Sequence, residues 1–154
     1  MFPLSPEKAY ARATASCSRR EYCRADWARK FAAAGLPAAA VRELLDRLEA
    51  EGYVDDRRYA RAFVHDKTAY DLWGRIKVAH ALRARGVAAG AVDEALAEVD
   101  EEAYRAGLVR LLERKARTLP PLDARERRQR LMRYAAGRGF EAALVARLLG
   151  ADDD

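Results

Sequence analysis

The residues best placed to do chemistry in this chain are arginines. Arg75, Lys77, Arg83 and Arg85 crowd one short stretch, and Arg125, Arg127, Arg128, Arg130, Arg133 and Arg138 crowd another. Planar guanidinium groups in clusters suit the oxygens of phosphates or carboxylates. These positions, with Arg24, are therefore the candidate contacts to a nucleic acid or an acidic partner. Residues 105–147 carry twelve basic side chains against four acidic ones, whereas residues 93–102 carry six acids and no base. The net charge is +5 and the pI about 9.4. Such asymmetry fits a polyanion or a charged protein, and it also fits a solvated Arg-rich helical surface.

Catalytic chemistry finds little support. Asp55-Asp56 reads as a helix cap plus one exposed acid, or as an acid that pairs with a nearby arginine to fix a corner, because no third ligand lies at metal spacing. His65 and His80 have no nucleophile or carboxylate at recognisable spacing, and no Gly-rich phosphate loop is present. Cys17 and Cys23 match neither C-x-x-C nor a zinc pattern; as reduced thiols they suit the cytosol. No metal and no cofactor is expected. Trp27 falls on an apolar stripe and is expected in the core; Trp73 lies at a helix boundary and could stack on a base.

The elements that must carry these residues are all helices. Val41, Leu44, Leu45 and Leu48 recur at i, i+3, i+4 and i+7, with charge on the opposite face. Gly52 stops that helix, Asp55 or Asp56 caps the next, and Tyr59, Ala60, Phe63 and Val64 are its apolar stripe. Ser5-Pro6-Glu7 starts a helix that runs to about Cys17. The helix from Asp55 is expected to reach about Tyr70, where Trp73-Gly74 breaks it; others are expected from Arg75 to Arg85, from Val87 to Val99 and from Asp100. Thr118-Leu119-Pro120-Pro121 is the clearest boundary, and Asp123 with Glu126 reads as a capping box. Asp152–Asp154 reads as a frayed acidic tail. No apolar run approaches the roughly 20 residues that cross a bilayer, and MFPLSPEKAY lacks the pattern of a secretory signal.

Superposing Gly35, Gly86 and Gly139 brings out an internal repeat, with steps of 51 and 53 residues. Valine follows each glycine by six residues (Val41, Val92, Val145) and leucine by ten (Leu45, Leu96, Leu149). Arginine precedes each by eleven (Arg24, Arg75, Arg128). The arginine column marks a repeated contact or a repeated helix-start geometry. Columns four and eight before the glycine are apolar: Phe31, Leu82 and Ala135, then Trp27, Val78 and Leu131. A period near fifty predicts an all-α chain of three tandem three-helix, helix-turn-helix-like repeats in an elongated array. The copies are expected at 1–52, 53–99 and 100–154.

The motifs themselves resemble one family. RREYCRADWARKF (19–31), LEAEGYVDDRRYARAFV (48–64), WGRIKVAHALRARGV (73–87) and RYAAGRGF (133–140) are similar, in that order, to the RecX family of recombination regulators. Cys23 stands where the family usually has a serine cap and Asp26 where it has Glu, a weakening of about 1 kcal/mol in that cap. Ala135 is small where the other copies carry Phe31 and Leu82, which predicts looser packing there. The resemblance implies a cytoplasmic regulator, monomeric and non-enzymatic. It implies binding to the RecA recombinase filament on single-stranded DNA and restraint of its ATPase, strand-exchange and coprotease activities. The alternative reading is a helix-turn-helix regulator that binds specific duplex sequences, seating one helix per copy in a major groove.

Overall fold

The computed structural model describes residues 4–150, and the acidic tail Asp152–Asp154 lies outside them. Among the described residues are nine α-helices and no strand. They are α1 (Pro6–Cys17), α2 (Arg24–Ala33), α3 (Ala38–Ala50), α4 (Asp56–His65), α5 (Arg75–Ala84), α6 (Ala89–Ala97), α7 (Glu101–Thr118), α8 (Ala124–Gly137) and α9 (Ala142–Leu148). Local chemistry sets most of the boundaries. The Ser5 hydroxyl accepts from the Lys8 N–H, with Pro6 in the first turn. Asp55 accepts from the Arg57 and Arg58 N–H groups, Asp100 from Glu102 and Ala103, and Asp123 from Glu126.

The repeat is visible at its corners. Gly35, Gly86 and Gly139 take φ of 90°, 86° and 90°, a left-handed backbone that glycine adopts without a Cβ clash. After each, the next N–H reaches back five residues: Leu36 to Phe31 O, Val87 to Leu82 O, and Phe140 to Ala135 O, at 3.1–3.2 Å. This is the Schellman closure, and it ends α2, α5 and α8 alike. Val41, Val92 and Val145 are buried, and so are Trp27, Val78 and Leu131. Ala135 is fully buried despite its size.

The chain forms two compact units. One comprises the residues up to Arg61 with Leu82–Glu94; the other comprises Ala62–Ala81 with the residues from Ala95 onward. The core of the first holds Tyr10, Trp27, Phe31, Leu44, Leu45 and Leu48. The core of the second holds Leu72, Tyr104, Leu108, Leu111, Leu131, Phe140 and Val145. Compactness therefore follows a different rule from sequence repetition. Each unit gathers the residues where one copy meets the next, and the second copy contributes to both.

The expected helix from Asp55 to Tyr70 is two structures. It is α-helical to His65 and then makes one π turn, Asp66–Tyr70. Leu72 follows with φ of 53° and is buried. A β-carbon in that region is strained. The Arg138 guanidinium holds the strained link by donating to the carbonyls of Asp71 and Leu72, the latter at 3.2 Å.

Candidate partner-binding surface

Two arginines of the repeat column have partners inside the chain. Arg24 begins α2 and pairs with Asp46 at 3.0 Å and with Glu49, both on α3. Its backbone N–H donates to Asp56 Oδ1 at 2.8 Å, at the first turn of α4. Asp56 thus fixes a joint through a backbone amide rather than through an arginine side chain. The corner at Gly52 is held instead by Arg58, whose guanidinium donates to the Gly52 and Tyr53 carbonyls and pairs with Glu21 at 2.5 Å.

Arg75 occupies the same place on α5. Its guanidinium pairs with Glu141 at 2.7 Å and with Glu101 in the first turn of α7, and lies 4.0 Å from the centre of the Tyr104 ring. The Arg75 N–H donates to the Tyr104 hydroxyl at 2.9 Å, which donates to Glu141 Oε1 at 2.6 Å. Burial raises the Tyr104 phenol, and the neighbouring Glu141 carboxylate raises it further. Burial alone would raise Glu141, but the Tyr104 hydroxyl and Arg75 outweigh it and hold the carboxyl below its ordinary value.

The two joints share a plan. The residue before each column arginine reaches a carbonyl at the next copy's corner: Cys23 Sγ–H donates to Arg85 O at 3.5 Å, and the Gly74 N–H donates to Arg138 O at 2.8 Å. The Ile76 N–H adds a bond to Gly139 O at 3.0 Å. Backbones approach so closely there that a Cβ on Gly74 would lie 2.2 Å from the Gly139 carbonyl carbon. Buried in this joint, the Cys23 thiol is pushed up to about 11.

The remaining candidates are dispersed. Lys77 is half-buried over the Trp73 ring at 4.2 Å, with Lys67 at 4.7 Å from the same ring. Arg83 and Arg85 are exposed, and Arg85 lies beside Tyr59. Arg138 is half-buried on the backbone carbonyls already described. Arg125, Arg127, Arg130 and Arg133 are exposed on α8 and Arg128 is half-buried. None of these five is in an ion pair among the described residues. Arg125, Arg128 and Arg133 line one open cavity of about 560 Å³. A second cavity of similar volume gathers Arg114, Lys115 and Arg138 with Tyr70 and Tyr134. Sequence reasoning passed over Arg114, Lys115 and Tyr70; the run from Arg114 to Arg117 was the available signal.

Comparison with known proteins identifies the family. Family models describing the second and third three-helix domains of RecX match residues 55–96 and 102–149. Regulatory protein RecX of Halorhodospira halophila is 39% identical over 140 residues, covering 89% of this chain and 84% of that protein. The chain belongs to the RecX family of regulatory proteins. Regulatory protein RecX of Chromobacterium violaceum is 36% identical over 151 residues, covering 94% of this chain and 91% of that protein. A crystal structure of RecX from Lactobacillus salivarius superposes with a TM-score of 0.89 over 96% of both chains at 17% identity, a likeness of fold. Among the described residues no group of three or more His, Cys, Asp or Glu could hold a metal ion, and no helix is long and apolar enough to cross a membrane.

Proposed function

We propose that this chain binds the RecA recombinase filament on single-stranded DNA and restrains its ATP hydrolysis, strand exchange and coprotease action. Membership of the RecX family carries the reading. The unpaired arginines of α8 support it, since a filament on DNA offers both carboxylates and phosphates. In this reading the chain acts as a monomer in the cytoplasm. Of its three copies, 1–52, 53–99 and 100–154, the second and third contribute the contacts. Arg83, Arg125, Arg127, Arg130 and Arg133 are the arginines most available to a partner, whereas Arg24, Arg75 and Arg138 first hold the fold together. Specific duplex recognition rests on the helix–corner–helix pairs α2/α3, α5/α6 and α8/α9 alone. The test is RecA ATPase on single-stranded DNA with the chain titrated in, alongside co-sedimentation with filaments. Inhibition with co-sedimentation is expected. An unchanged ATPase rate with no co-sedimentation refutes the reading.

A further inference from the structure

The geometry points to the outward face of α8 as a docking site for the acidic first turn of a helix on a partner protein. The inference deepens the reading above and rests on it for the partner's place in the filament. It starts from the joints. In the first joint, Glu21 and Arg24 of one copy hold Arg58 and Asp56 at the start of the next copy's α4. In the second, Leu72 packs in the core with Tyr104 of α7, and Arg75 pairs with Glu101 at the start of α7. The corresponding positions of the third copy are Arg125 and Arg128.

Both face the same open cavity, with Gln129, Met132 and Arg133, and no acid lines it. The Nε of Arg128 is buried and has no hydrogen-bond partner. A buried guanidinium N–H without an acceptor is costly, and a carboxylate is the acceptor that satisfies it best. In both filled joints an acid sits on the first helical residue of the incoming helix: Asp56 behind the Asp55 cap, and Glu101 behind the Asp100 cap. Arg128 thus stands where Arg75 holds Glu101 in the second joint, with more positive charge around it and no acid upon it. A second copy of this chain would offer α1, which has Pro6 at that first position behind a Ser5 cap and carries its acid, Glu7, one residue later, a register different from that of Asp56 and Glu101.

The probe is a helix-stapled peptide of residues 99–112, the chain's own α7 start, supplied in trans and followed by fluorescence anisotropy. The wild-type chain is expected to bind it. The variant carrying Arg125→Glu and Arg128→Glu is expected to bind about tenfold more weakly. The variant Arg117→Glu, a charge reversal elsewhere on the basic surface, is expected to change binding less than about twofold. Replacing Asp100, Glu101 and Glu102 of the peptide by their amides should also weaken binding about tenfold. Co-sedimentation with RecA filaments should follow the same order, and a photo-crosslinker at position 129 should map to an acid-led helix start on the recombinase. Failure of the wild-type chain to bind the peptide, or equal binding by the double variant, overturns the inference whatever the filament does. Equal loss of free oligo(dT) binding by the double variant marks a phosphate site and overturns it, as does concentration-dependent self-association abolished by the same variant. Failure of the wild-type chain on filaments, with peptide binding intact, refutes the filament reading instead.

Discussion

Tyr104→Phe isolates one hydroxyl in the second joint and leaves the ring on which Arg75 lies. That hydroxyl donates to Glu141 at 2.6 Å and accepts from the Arg75 N–H at 2.9 Å. Its donation to a carboxylate contributes about 1.5–3 kcal/mol, and the amide left without an acceptor costs about 1–3 kcal/mol. Tyr104 is 5% exposed, so water cannot readily replace the hydroxyl, but the Glu141 side chain is 34% exposed and recovers part of its hydration. The net loss is therefore about 2–3 kcal/mol. The comparison is Arg24→Ala in the first joint. There Asp46 and Glu49 are 72% and 45% exposed, and the surface pairs are worth at most about 1 kcal/mol. Urea unfolding of both variants, with hydrogen exchange of the Arg75 amide, measures the difference. A loss below about 0.5 kcal/mol for Tyr104→Phe, with the Arg75 amide still protected, would show that the hydroxyl does not hold the joint.

The same joint fixes an acid limb. The Glu141 carboxyl is held below its ordinary value, so its contribution is present above the unfolded-state value near 4.5 and is lost as pH falls through the folded one. Glu141→Gln should flatten the fall in stability below about pH 5, read as urea midpoints across pH. Gly139→Ala should cost more than Gly52→Ala. Both glycines have positive φ, but a Cβ at 139 would meet the Lys77 backbone at 2.6–2.9 Å, whereas one at 52 meets nothing within 4 Å. We expect about 1–2 kcal/mol at position 52 and at least about 3 at position 139, measured by thermal or urea melts. Cys23, with its thiol raised to about 11, should resist alkylation at pH 8 in the folded chain and react after unfolding, as followed by mass spectrometry.

The helices and their stops were legible because each is decided locally. The capping acids and the corner glycines act within a few residues of themselves, so spacing alone reveals them. The repeat was legible because the three corners close by the same backbone bond. What could not be read was every feature that joins distant positions. The chain gives no hint that the Asp56 carboxylate meets the amide of Arg24, or that Gly74 lies against Gly139. The strained Leu72 was invisible for the same reason: its carbonyl is held by Arg138, far along the sequence. Arg138 also shows why composition misleads about a site. Counted as a contact cation, it is committed to backbone carbonyls, as Arg24 and Arg75 are to carboxylates. The arginines of α8 have no such commitment, and the sequence treats them all alike.

Because compaction gathers around the joints, dissection at the sequence boundaries would cut contacts that hold neighbouring copies together. A fragment ending at residue 52 loses Asp56, Arg58 and the Arg85 carbonyl together, and so leaves the Cys23 thiol, the Arg24 N–H and the Glu21 carboxylate without these partners. A fragment beginning at residue 62 keeps Arg75 with Glu101 and Glu141. The repeated segment and the compact unit are thus different divisions of the same chain, and the second is centred on the seam between two copies.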